Sequence, residues 1–141
     1  MKKITPIALS VLALAAAGCG SSSSKLSDAA FTSKADAICN AANAATAKLS
    51  GSGGAAAVKS AEELLSTMIG RLQALSPPAD RAAAFSSFLT EVKYVESLLK
   101  QLGAAAAARD SAKIASIETQ VPGFESKGKA EATAAGIKSC D

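Results

Sequence analysis

Beyond Ser27 the chain alternates apolar and polar positions with a helical rhythm and never with the period of two that marks strands. Phe31, Ala35, Ile38, Ala42, Ala45 and Leu49 recur at steps of four and three, a narrow apolar face on a first helix. Ser27 and Asp28 suit its start, one as a cap and one as an acid in the first turn. Ser50-Gly51-Ser52-Gly53-Gly54 then breaks it, because glycine loses the most conformational freedom inside a helix. The next face runs Val58, Ala61, Leu65, Met68, Leu72 and Leu75, widened by Leu64 and Ile69, and predicts a helix from Ala55 to Leu75. Ser76-Pro77-Pro78 ends it, since a residue before proline is pushed out of the helical region.

A third helix is expected from Ala79, with Pro78 tolerated at its first turn. Phe85, Phe88, Val92, Val95, Leu99 and Leu102 form its stripe, broadened by Leu89 and Leu98. Past Leu102 the same steps land on Ala106, Arg109 and Lys113, so a break belongs between Gly103 and Asp110. Asp110 is the expected cap of a fourth helix carrying Ile114, Ile117, Val121 and Phe124. Pro122 should kink or split that helix, and Gly136 should stop it. The pattern predicts an all-α fold, a four-helix up-down-up-down bundle with its last helix kinked or split near Pro122. Phe31, Ile38, Leu65, Leu72, Phe85, Phe88, Val92, Leu99, Ile117 and Phe124 are its expected core. That core is thin, because much of the apolar count is Ala, far below the roughly 1.5–3 kcal/mol of a buried Leu or Phe.

The first residues read differently. Lys2 and Lys3 precede an apolar run from Ile4 to Ala17, closed by Ala15-Ala16-Ala17-Gly18 ahead of Cys19. This resembles a bacterial lipoprotein signal peptide and its lipobox, with Ala16 where that family usually has Leu. The resemblance implies that residues 1–18 are removed and that Cys19 becomes an acylated first residue. The competing readings are an ordinary secretory signal cut after Ala17 and an uncleaved anchor. A helix over Ile4 to Ala17 would rise roughly 21 Å, short of a hydrocarbon core of roughly 30 Å. Gly20-Ser21-Ser22-Ser23-Ser24-Lys25-Leu26-Ser27 follows. As a Gly/Ser-rich coil it spans roughly 16 Å. The expected organisation is therefore signal 1–18, lipidated Cys and tether 19–27, and helical domain 28–141.

The chain has three Cys: Cys19, Cys39 and Cys140. Lipidation of Cys19 would leave Cys39 and Cys140 to pair outside the cytosol, where disulfides persist. Two buried free thiols are the alternative. A zinc pair is weaker, since zinc wants four N or S ligands and there is no His. A bridge over about 100 residues would contribute about 4–5 kcal/mol in the chain-entropy model. It would staple a thin core.

Charge and side-chain inventory narrow the function. Of 15 Lys and Arg, Lys2 and Lys3 leave with the signal, so 13 remain against 12 Asp and Glu. That balance lacks the basic face of a nucleic-acid binder. Without His there is no imidazole base, no Ser-His or Cys-His nucleophile and no His ligand. Glu62-Glu63 diverge on a helix surface. No catalytic, cofactor or metal residue is assigned. Asp36, Asn40 and Asn43 line one stripe beside Cys39, expected to be solvated, with a ligand rim as the alternative. Lys127, Lys129 and Lys138 are interleaved with Glu125, Glu131 and Asp141, a mixed soluble surface. Tyr94, the single Tyr, is expected at a core edge.

Three stretches extend the resemblance. Phe31-Thr32-Ser33-Lys34-Ala35-Asp36-Ala37-Ile38-Cys39, Leu72-Gln73-Ala74-Leu75-Ser76-Pro77-Pro78 and Gly136-Ile137-Lys138-Ser139-Cys140 look like those of small actinobacterial lipoproteins of high-GC bacteria. Pro122 departs from the uninterrupted last helix of that pattern. The resemblance implies a helical domain closed by its two Cys and carries no activity. The expectation is a non-enzymatic lipoprotein held on the outer side of the cell membrane through acylated Cys19, its domain meeting an envelope protein. A carrier holding a small apolar ligand in the bundle interior is the alternative.

Overall fold

A computed structural model describes residues 25–49 and 53–140. Cys19 and the lipobox, most of the tether, part of the Ser50–Gly54 break and Asp141 lie outside these residues. Within them there are five α-helices and no strand: α1 (Asp28–Leu49), α2 (Ala55–Gln73), α3 (Ala82–Ala108), α4 (Ser111–Glu118) and α5 (Val121–Ala134). The chain is all-α. Packing runs α1 on α2, α2 on α3, and α3 on both α4 and α5.

The helix boundaries follow local chemistry. Ser27 Oγ accepts from the Ala30 amide at 3.3 Å, and the Leu26 amide donates to the Ser76 carbonyl at 2.9 Å. That second bond ties the start of α1 to the break after α2. Asp110 caps α4, its Oδ1 accepting from the Lys113 amide at 2.9 Å, a contact worth about 1 kcal/mol. Pro122 divides the predicted fourth helix instead of bending it. It stands in the first turn of α5, where its missing N–H removes no helical bond.

The third helix starts later than the sequence predicts. Pro77 and Pro78 lie outside any helix, and the Arg81 amide then closes a turn on the Pro78 carbonyl at 3.2 Å. The first helical bond runs from Phe85 to the Arg81 carbonyl at 2.9 Å, so α3 opens at Ala82 and not at Ala79.

The core joins Phe31, Ala35, Ile38 and Cys39 of α1 with Ile69 and Leu72 of α2 and Phe85, Phe88 and Val92 of α3. Ala132, Ala135 and Ile137 complete it from the C-terminal end. Phe31 meets Phe85 edge to face, ring centres 5.0 Å apart at 87°. Three expected core residues lie nearer the surface: Leu65, Leu99 and Phe124 are half-buried. Leu98 is buried in place of Leu99, because α4 packs against the far end of α3. Leu98 and Ala105, one heptad apart, bury that face, as does Ile117 on α4. Phe124 lies on the open side of α3, described below.

Two helix ends use a left-handed residue. At the end of α5, Gly136 has φ 77°, its amide donating to Thr133 and that of Ile137 to Ala132, both at 2.9 Å. This is a Schellman ending, with Ile137 and Ala132 buried beside it. Arg109 ends α3 in the same way at φ 55°, although it carries a Cβ that crowds its own backbone. The two sites predict opposite effects. Gly136→Ala should cost about 1–2 kcal/mol, and its Cβ would also run into the Arg81 guanidinium. Arg109→Gly should gain up to about 1 kcal/mol. Urea unfolding of the two variants beside the wild type checks both signs.

Candidate functional site

The last residues of the described chain are drawn across α1 by a set of polar contacts that the sequence pattern does not reveal. Asp36 Oδ1 accepts from the backbone amides of Lys138 at 2.7 Å and Ser139 at 3.0 Å. Asn43 Nδ2 donates to the Ser139 carbonyl at 3.0 Å. Nearer the start of α1, Thr32 Oγ1 donates to the Gly136 carbonyl and accepts from Arg81 Nη1, each at 3.0 Å. Arg81 Nη2 lies 3.5 Å from the Asp28 carboxylate. One face of α1 therefore clasps residues 136–139. Along the stripe of Asp36, Asn40 and Asn43, both Asn residues are exposed and Asp36 is half-buried, and Asp36 and Asn43 also bind the chain's own backbone.

The clasp brings the two cysteines together. Cys39 and Cys140 form a disulfide across 101 residues, with Cα atoms 5.1 Å apart, an ordinary separation for a bridge. Cys39 is fully buried and Cys140 is half-buried. Cys19 lies outside the described residues.

Beside the clasp a groove of about 710 Å³ opens over α3. Phe88, Val92, Val95 and Leu98 line it from α3, and Leu65 from α2. Asn43 and Thr46 of α1 border it with Cys140, α5 adds Val121, Phe124 and Gly128 together with the polar Glu125, Ser126 and Lys129, and Glu91 of α3 also faces it. Tyr94 packs against Phe124 with ring centres 4.5 Å apart and planes tilted by 45°, and it donates to Gln120 Oε1 at 3.1 Å. Tyr94 and Val121 are the exposed large apolar residues among those described, so the apolar surface extends past the groove.

One charge is buried here. Glu91 sits between Phe88 and Val92 in the α3 stripe, 8 % exposed, and pairs with Lys127 of α5. The hydrogen bond to Glu91 holds the Lys127 ammonium above the usual lysine range, with the Glu91 and Glu131 charges adding to it. Lys127 therefore stays charged at neutral pH and answers the buried carboxylate. The apolar pattern passes over this pair, whose one mark in the sequence is an acid set inside an apolar stripe; the pairing keeps Lys127 out of any basic patch.

Among the described residues no three His, Cys, Asp or Glu side chains gather as a metal site. No described helix is long and apolar enough to cross a membrane. Every buried side-chain polar atom described has a hydrogen-bond partner. No family model matches the chain, and no curated protein or solved structure matches it.

Proposed function

We propose that this chain is an extracytoplasmic lipoprotein, held on the cell membrane through acylated Cys19, whose helical domain is a non-catalytic binding module. The reading rests on the N-terminal pattern of Lys2-Lys3, the apolar run and Ala17-Gly18-Cys19. The observation that carries the binding role is the groove of about 710 Å³ beside the clasp. The Cys39–Cys140 bridge suits an oxidising compartment, because a structural disulfide persists outside the cytosol. The helices are read as an up-down-up-down bundle with its last arm divided at Pro122, supported by α1 on α2, α2 on α3 and α3 on α5. Its resemblance to small actinobacterial lipoproteins belongs to the same reading.

The groove supports a binding module, with the carriage of a small apolar ligand as the second reading. A volume of about 710 Å³ falls within the roughly 300–1,000 Å³ of small-molecule sites. Its position is lateral, over α3, and the interior is filled by Phe31, Leu72, Phe85 and Phe88. The ligand site is thus proposed on the side of the bundle and not in its interior.

Attachment is tested by fractionation. The wild-type protein should sediment with membranes and enter the detergent phase, since two acyl chains anchor stably where one binds only marginally. Cys19→Ala should move it to the aqueous phase or leave it unprocessed. Equal membrane retention of the two proteins would reject acylation at Cys19.

A further inference from the structure

The two sulfurs of the bridge have different surroundings. Cys39 stands midway along α1, 1 % exposed and packed among the core residues. Cys140 is half-buried and belongs to two open walls. One is the groove over α3, and the other is a depression of about 310 Å³ shared with Lys129, Thr133, Gly136 and Lys138. Thiol–disulfide exchange is a displacement in which a thiolate meets one sulfur and the other leaves as a thiolate. An approach to Cys39 runs through the packed core, whereas Cys140 is reached from either wall. Charge selects between the walls. The groove carries Glu91 and Glu125 beside Lys129, while the ionisable side chains of the depression are Lys129 and Lys138. A thiolate is favoured beside ammonium groups, so the depression is the approach.

The clasp holds the two cysteines in place without help from sulfur. Asp36 Oδ1 accepts from the Lys138 and Ser139 amides, and Asn43 Nδ2 donates to the Ser139 carbonyl. Thr32 Oγ1 donates to the Gly136 carbonyl, and Ile137, within the same segment, is buried. Opening the bridge therefore leaves Cys140 beside Cys39, and the folded chain can close it again.

We infer that Cys140 is an exchange site for a dithiol protein of the thioredoxin-like class, and that exchange takes place in the folded chain. The partner's thiolate bonds to Cys140 Sγ, the Cys39–Cys140 bond breaks, and Cys39 leaves as a thiolate that takes up a proton. The partner's second thiol then loses its proton and attacks the partner's own sulfur in the mixed disulfide. Cys140 leaves as the second thiolate and is protonated in turn. Two electrons pass, the partner ending as a disulfide and the chain as two thiols. The reverse sequence, from an oxidised partner, installs the bridge. Neither the occupant of the groove nor acylation of Cys19 enters these steps.

Trapping tests the site. The oxidised full chain, purified in detergent with any free thiol first blocked by N-ethylmaleimide, is mixed with a bacterial thioredoxin whose second active-site cysteine is replaced by serine. Acid quench, pepsin digestion and peptide mass spectrometry then locate the mixed disulfide. Linkage to Cys140 should exceed linkage to Cys39 by about tenfold or more. The rate of reduction by dithiothreitol reads the state of the chain. It should rise in proportion to reductant and stay level across urea concentrations below the unfolding transition. No trapped complex, linkage to Cys39 as often as to Cys140, or a rate that levels off with reductant and climbs with urea would overturn the inference.

Discussion

Reducing the Cys39–Cys140 bridge should lower the unfolding free energy by about 2–5 kcal/mol, a large loss with no apolar side chain removed. The bridge closes 101 residues, nearly the whole helical domain, and so restricts almost all of the unfolded chain. The chain-entropy model gives about 4.7 kcal/mol for a loop of that size, less where the unfolded chain retains structure. In the folded state Asp36 and Asn43 still hold residues 138–139 after reduction, so the clasp does not open at once. Urea unfolding with and without reductant, repeated on Cys39→Ser/Cys140→Ser, measures the loss. An unchanged midpoint in both comparisons would show that the bridge does not stabilise the fold.

Phe31→Ala should cost about 3–5 kcal/mol, the range for emptying a buried phenyl site. Phe31 is 0 % exposed, and its ring bears edge-on against Phe85, so its loss empties the contact between α1 and α3. The surrounding residues are helical and stapled, which limits how far they can collapse into the space. Phe124→Ala is the comparison, because Phe124 is half-buried on the groove wall and should cost much less. Total stability of a small domain is about 5–15 kcal/mol, so Phe31→Ala combined with reduction is expected to unfold the chain at ordinary temperature. A Phe31→Ala cost below about 1 kcal/mol in urea unfolding would contradict the assigned core.

Helical periodicity carried most of the fold. The stripes of α1 and α2, the Asp110 cap, the division at Pro122 and the Gly136 stop are all local signals, and each appears where the sequence places it. The start of α3 was misplaced because a turn closing on Pro78 is chemistry beyond the apolar pattern. Leu98 and Leu99 are adjacent leucines, and only the docking of α4 decides which one is covered. The cysteine pair was legible from counting, yet only on the premise that Cys19 is used elsewhere. The clasp was not legible at all. Asp36 and Asn43 bind backbone groups about a hundred residues away, and backbone partners leave no mark on side-chain spacing. The groove is likewise a property of which helices pack: α1 and α5 border it, while α3 packs on both α4 and α5.

The state of the mature N-terminus tests the central claim most directly. Intact-protein and peptide mass spectrometry of the membrane-extracted chain should find Cys19 as the first residue, carrying a diacylglyceryl group on its sulfur. A first residue at Gly18, or Cys19 present without lipid, would contradict the account and indicate an ordinary secreted protein.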